Sequence, residues 1–249
     1  LSRYICDRHW TFALKTFIFN FPAHTYSERK MSAIFFGSIG TIADTSELQR
    51  QAFNQAFALH HLDWNWSREE YVTLLEKSGG RKRVEDYAKS LGQAVNAEAV
   101  HSSKSEIFQK SLREDPLQPR LGVVEVIQKA KQTGLRLALV TTTSEQNVLS
   151  MLEALRKDID ASDFDLVVSA SNVERSKPAK DAYDFALKEL GQMPDSCVAI
   201  EDNLGGLEAA KLAKLTCVAF PGENTAHHNF DAADLRVSHL DFEHLQRFL

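Results

Sequence analysis

Four short stretches of this chain carry residues whose types and spacing could do chemistry. "GSIGT", Gly37 to Thr41, follows the apolar run "AIFF". Thr141 follows "LALV", Lys177 sits in "RSKPAKDAY", and Glu201–Asp202 close "CVAIED". The first stretch has the outline of a catalytic turn: a buried strand, a bend of small residues, then Gly-Thr. A carboxylate at position 37 or 39 would complete it, and those positions hold Gly37 and Ile39. An acidic pair after an apolar strand can bind a cation. Taken singly, Thr141 reads as an ordinary turn residue and Lys177, before a proline, as a solvated lysine. The joint order of all four is the signal.

The elements that must position these residues are regular from residue 116 onward. "GVVEVIQKAKQTG" predicts an amphipathic helix stopped by Gly134. "LRLALV" predicts a parallel strand buried on both faces. "SEQNVLSMLEALRK" returns to helical spacing with Ser144 as N-cap. "FDLVVSA", "AKDAYDFALKELG", "CVAIED", "GGLEAAKLAKL" and "TCVAFP" continue the alternation, which means βαβ units and a parallel sheet. Chemistry in such α/β sheets sits beyond the carboxyl ends of the strands. Gly37, Thr141, Lys177, Glu201 and Asp202 all fall at strand ends or in the loops after them. Residues 46–115 show helical patterns and no strand. They predict an all-helical insert, with Ser46 and Ser67 able to cap and Trp64, Trp66 and Tyr71 as its core.

Apolar residues make up 43% and charged residues 25% of the 249, so one sizeable core needs no disulfides. A net charge of −5 without a long basic run argues against non-specific nucleic-acid binding. No apolar run reaches the ~18 residues of a membrane span. Cys197 and Cys217 lie in apolar runs and read as core thiols, so a reducing, cytoplasmic compartment is the expectation. Residues 1–30 read as an extension upstream of a start at Met31, poorly packed on the rest. The expected organisation is therefore a Rossmann-like core of residues 31–45 and 116–249, with a helical cap of residues 46–115.

The ordered set Gly40–Thr41, Thr141, Lys177, Glu201–Asp202, with a helical insert after the first strand, resembles the haloacid dehalogenase-like phosphohydrolases. Within them the chain is similar to the β-phosphoglucomutase and CbbY-type sugar-phosphate phosphatase branch, from about Met31 to the C-terminus. The resemblance implies that Thr141, Thr142 and Lys177 hold phosphate oxygens and that Glu201 and Asp202 help to hold Mg²⁺. It also implies a nucleophilic Asp at position 37 and an acid–base Asp at position 39. Gly37 and Ile39 stand there instead, and Gln49 stands where mutases of the branch carry a His.

Without a nucleophile or an acid–base group, phosphoryl transfer through an aspartyl-phosphate has no local agent. Loss of a positioned acid–base group costs about 10²–10⁴ in rate, and loss of a nucleophile can cost on the order of 10⁶. The expectation is a family member without normal phosphoaspartyl chemistry that retains phosphosugar binding, with Mg²⁺ held weakly or not at all. The alternatives are an active phosphatase using altered chemistry, with Ser38, Thr41 and Asp44 the nearby groups, and a non-catalytic interaction or regulatory protein. "SGGRKRVED" places Gly80, Arg81, Lys82 and Arg83 at a helix start on the cap, where they would contact a distal phosphate; the alternative there is a solvated basic helix face. The expected ligand is a small phosphorylated metabolite, with no nucleic acid, no membrane and no identifiable protein partner.

Overall fold

The computed structural model describes residues 32–114 and 117–249. The expected extension, residues 1–30, lies outside the described residues.

Six parallel strands form one sheet in the order β3-β2-β1-β4-β5-β6. They are β1 (Ala33–Phe36), β2 (Arg136–Val140), β3 (Leu166–Val168), β4 (Cys197–Glu201), β5 (Thr216–Ala219) and β6 (Leu235–Arg236). The helices are α1 (Ile39–Ile42), α2 (Ser46–Leu59), α3 (Arg68–Leu74), α4 (Gly80–Ser90), α5 (Ala97–Glu114), α6 (Val123–Thr133), α7 (Glu145–Ala154), α8 (Asp181–Leu190), α9 (Leu204–Leu212) and α10 (Phe242–Gln246). This is the α/β architecture the sequence predicts.

Alternate strand residues enter two different cores, as the period of two requires. Ile34, Phe36, Leu137, Leu139, Val198 and Ile200 join α6, α7 and α10 on one face. Ala33, Phe35, Ala138, Val140, Cys197, Ala199 and Cys217 join α8 and α9 on the other. Both cysteines are buried core residues, as expected, and burial pushes the Cys217 thiol up.

Helices α2 to α5, between β1 and β2, build a third core around Phe53, Phe57, Trp64, Trp66 and Tyr71. Trp66 packs 4.9 Å from Phe53 and 4.6 Å from Phe57 between ring centroids. No helix among the described residues is long and apolar enough to cross a membrane.

Local signals set several boundaries. Gly134 ends α6 in the left-handed conformation at φ 75°. Ser144 caps α7 by accepting from the Asn147 amide. Ser67 and Glu70 form a reciprocal capping box on α3. Ser46 does not cap: it is the first residue of α2, and its hydroxyl donates to Asp44 at 2.6 Å. The 18-residue α5 is the longest helix described; its stripe Val100, Lys104, Phe108, Leu112 is buried at four-residue spacing.

Candidate functional site

Strand β1 lies between β2 and β4, so the chain order reverses beside it. The carboxyl ends of β1 and β4 form the switch point where α/β sheets bind ligands. Phe36 pairs in register with Ile200, which sets Gly37 level with Glu201. Both positions point to the α8–α9 side of the sheet, since Phe36 and Ile200 belong to the opposite face.

That register explains the central feature. Glu201 is fully buried, and its carboxylate fills the space where a Gly37 side chain would begin. A Cβ at Gly37 would overlap the Glu201 carboxylate and lie 2.5 Å from the Tyr183 hydroxyl. A Cβ at Gly206, in the first turn of α9, would overlap the same carboxylate from behind. Two glycines therefore make the room for one glutamate.

Glu201 Oε1 accepts from Lys177 Nζ at 2.6 Å and from the Tyr183 hydroxyl at 2.5 Å. Lys177 also donates to the carbonyls of Gly37 and Val140, the latter at 2.7 Å. An ammonium has three protons, and these three acceptors take them all. Burial raises the Glu201 carboxyl above the usual range, while Lys177 opposes that rise. Burial and the adjacent Glu201 also push the Tyr183 phenol well up.

Above this buried cluster opens a cleft of about 390 Å³ between the sheet edge and α2–α5. On the sheet side it is lined by Ser38, Asp44, the run Thr141–Ser144, Asn147, Lys177 and Asp202. The Thr141 hydroxyl accepts from the Thr143 amide at 3.2 Å. The Asn147 amide donates to the Thr143 hydroxyl at 2.9 Å. These hydroxyls lead into the N-terminus of α7, which favours an anion. Asp202 accepts from the Ser38 hydroxyl at 2.7 Å and from Asn203 at 2.8 Å. Ser38 thus has a carboxylate partner that was not apparent from the sequence. Arg120 braces the turn from outside the cleft, donating to the carbonyls of Gly40, Phe220 and Pro221.

The cap side contributes Gln49, Tyr71, Gly80, Arg83, His101 and Lys104. Of the four residues predicted in the "GGRKR" loop, Gly80 and Arg83 reach the cleft and Arg81 and Lys82 do not. Successive helix residues turn by about 100°, so 80 and 83 share a face while 81 and 82 point outward. Arg81 pairs with Glu85 and Glu98, and Lys82 pairs with Asp86, all on the surface. Arg83 is held by the carbonyls of Leu74 and Lys77 and lies over the Tyr71 ring.

Lys104 and His101 went unread in the sequence. Their signal was there: a lysine interrupts the apolar stripe of α5, and a histidine stands three residues before it on the same face. Burial, with the nearby Arg83 charge, pushes the Lys104 amine down to about 7. Burial, with Lys104 beside it, pushes the His101 imidazole down to about 4.

Glu201 and Asp202 are the residues that would hold Mg²⁺ at this strand end. Glu201 faces Lys177 and Tyr183 through one oxygen and Gly206 through the other, away from the cleft. Asp202 reaches the cleft, as does Asp44. Among the described residues no group of three or more His, Cys, Asp or Glu side chains is placed to hold a metal. The second Glu201 oxygen, Oε2, is buried without a hydrogen-bond partner among the described residues.

Comparison with known proteins agrees with this frame. Residues 40–220 match the family described as haloacid dehalogenase-like hydrolase. Protein CbbY of Rhodobacter capsulatus is 37% identical over 214 residues, covering 85% of this chain and 94% of that protein. The chain belongs to the haloacid dehalogenase-like hydrolase family. The crystal structure of a CbbY variant from Rhodobacter sphaeroides in complex with xylulose-(1,5)bisphosphate is 38% identical, with TM-score 0.77, covering 83% of this chain and 93% of that one. A β-phosphoglucomutase structure from Clostridium difficile shares the fold at TM-score 0.71 and 19% identity, covering 87% and 96% of the two chains. Members of the family generally use Mg²⁺.

Proposed function

We propose that this chain binds a small phosphorylated sugar in the cleft between sheet and cap and does not carry out phosphoaspartyl transfer. The observation that carries this reading is the Glu201 carboxylate lying in the Gly37 side-chain space, sealed there by Lys177 and Tyr183. No carboxylate at the end of β1 faces the cleft to attack phosphorus. The means of holding an anion remain: the Thr141–Ser144 hydroxyls, the α7 N-terminus, and Arg83 and Lys104 across the cleft. The similarity to CbbY proteins crystallised with phosphate and with xylulose-(1,5)bisphosphate supports a sugar phosphate as ligand. Binding is independent of Mg²⁺ on this reading, with Glu201 held beneath the cleft by Lys177 and Tyr183 and Asp202 bonded to Ser38 and Asn203.

The test is a panel of sugar phosphates scored for binding and for phosphate release, each with and without Mg²⁺. Saturable binding without release supports the reading. Turnover at the rate of ordinary phosphatases removes it.

One observation favours a second reading. The Ser38 hydroxyl donates to Asp202 at 2.7 Å, directly after the position where the nucleophile would stand. A hydroxyl paired with a carboxylate on the cleft is the arrangement that altered hydrolytic chemistry would need. Phosphate release abolished by Ser38→Ala, with binding retained, would establish it. The same hydroxyl also caps α1 by accepting from the Thr41 amide at 3.2 Å, which is a sufficient structural reason for a serine there.

A further inference from the structure

Three hydroxyls in the loop after β2 are all used by the protein as acceptors. Thr141 Oγ1 accepts from the Thr143 backbone amide at 3.2 Å, and Ser144 Oγ accepts from the Asn147 backbone amide at 3.3 Å. Thr143 Oγ1 accepts from the Asn147 side-chain Nδ2 at 2.9 Å. Among the described residues none of the three gives its own proton to the protein. Each hydroxyl has one proton to give, so three O–H groups are left for whatever enters the cleft they border.

The first two pairings use backbone N–H groups, which fixes their direction. The third uses a side-chain amide, which offers N–H at one end and C=O at the other. Turned over, the Asn147 carbonyl would take the Thr143 proton and draw that O–H away from the cleft. Gln109, on cap helix α5, sets the direction: its Nε2 donates to Asn147 Oδ1 at 2.9 Å. Asn147 is 4% exposed, so both ends of its amide need protein partners. Gln109 itself is not among the cleft-lining residues.

We propose that Gln109 and Asn147 are positioning residues that aim the Thr143 O–H at the bound phosphate. The relay runs from the cap to the ligand: Gln109 donates to Asn147, Asn147 to Thr143, and Thr143 to a phosphate oxygen. This rests on the sugar-phosphate reading above and specifies how its phosphate is recognised. The loop presents protons, which suits an ionised phosphate whose free oxygens only accept. Hydrogen bonds to an ionised group are the strong ones, and donors in series polarise one another. A residue of the cap that touches no ligand thereby helps to set affinity at the sheet.

The test titrates the full chain with xylulose 1,5-bisphosphate by calorimetry. Gln109→Glu has the shape of glutamine but offers only acceptors, so it turns the Asn147 amide over. Gln109→Lys keeps a donor toward Asn147. The glutamate variant should bind at least about tenfold more weakly than the lysine variant, at the scale of one charge-assisted hydrogen bond. Charge acting through space gives the same order, so the pair is compared again in Thr143→Val, which keeps the shape and lacks the hydroxyl. The field survives that change and the relay does not, so the ratio between the two variants should shrink by at least about fivefold. Asn147→Ala breaks the relay in the middle and should shrink the ratio equally. It carries the comparison if Thr143→Val binds too weakly to titrate. Thermal melts confirm that every variant unfolds cooperatively. A glutamate-to-lysine ratio unchanged in both backgrounds overturns the relay and leaves the sugar-phosphate reading standing. Equal affinities of the two Gln109 variants do the same. No binding by the unaltered chain overturns both.

Discussion

The carboxylate of Glu201 and a side chain at Gly37 lay claim to the same volume. Adjacent parallel strands in register place the two residues level and on one face of the sheet. With glycine at 37, the glutamate swings across and is fixed by Lys177 and Tyr183. Restoring an aspartate is therefore more than adding a missing group. Gly37→Asp, alone or with Ile39→Asp, should destabilise the fold by about 1–3 kcal/mol, the usual cost of overpacking, with buried like charge adding to it. Chemical denaturation measures this. Unchanged stability would mean that Glu201 leaves its place freely.

Lys177 and Glu201 form a fully buried ion pair in which one lysine satisfies three acceptors. Removing one partner strands the other. Glu201→Gln and Lys177→Met should each cost about 3–5 kcal/mol. The double variant should cost clearly less than their sum, because it leaves no lone buried charge. Additive losses in a denaturation cycle would show that the two side chains act independently.

Lys104 makes stability depend on pH in a defined direction. The unfolded amine holds its proton up to the ordinary value of 10.5, and the folded one gives it up at about 7. Between those values the unfolded chain binds more protons, so stability rises with pH and is lowest below about 7. His101, folded at about 4 against an ordinary 6.5, adds a rise across that lower window. Lys104→Met should flatten the rise above pH 7, a difference on the order of a few kcal/mol across the window. Parallel curves for the two proteins would place the amine in water.

Arg83 and Arg81 stand two residues apart with opposite outlooks. Arg83 borders the cleft, and Arg81 pairs with glutamates on the surface. Arg83→Lys loses the forked geometry and should weaken sugar-phosphate binding by about tenfold or more, at the scale of one charged hydrogen bond. Arg81→Gln should leave affinity unchanged. Equal effects in a binding titration would mean that the basic triplet acts as a diffuse field.

Adding or chelating Mg²⁺ should change affinity for a sugar phosphate by less than about twofold, since Glu201 is held beneath the cleft by Lys177 and Tyr183 and a tightly hydrated ion gains little from an Asp202 already bonded to Ser38 and Asn203. A tenfold gain with Mg²⁺ would show that the ligand brings Glu201 or another donor into a cation site.

The frame was legible because strand ends announce themselves. Apolar runs of four to six residues stop at Gly37, Thr141 and Glu201, and the order of elements dictates a parallel sheet that gathers these stops on one edge. The buried aromatic cluster of the cap was equally plain, since Trp64, Trp66 and Tyr71 have few other uses. What could not be read was rotation. Whether Glu201 faces the cleft or turns beneath it depends on strand register and on two glycines far apart in the chain. In the same way, the outward turn of Arg81 and Lys82 follows from where α4 begins. The Ser38–Asp202 contact joins residues 164 positions apart. Lys104 was hidden for a different reason: a lysine on a helix reads as solvated until its neighbours on both sides prove to be phenylalanines.

Titration calorimetry of the unaltered chain with xylulose 1,5-bisphosphate tests the central claim most directly, because one trace reports both binding and turnover. The account predicts a saturating heat, one ligand per chain, with the signal returning to baseline after every injection, with or without Mg²⁺. Sustained heat flow proportional to protein concentration, with phosphate accumulating in the cell, would contradict it.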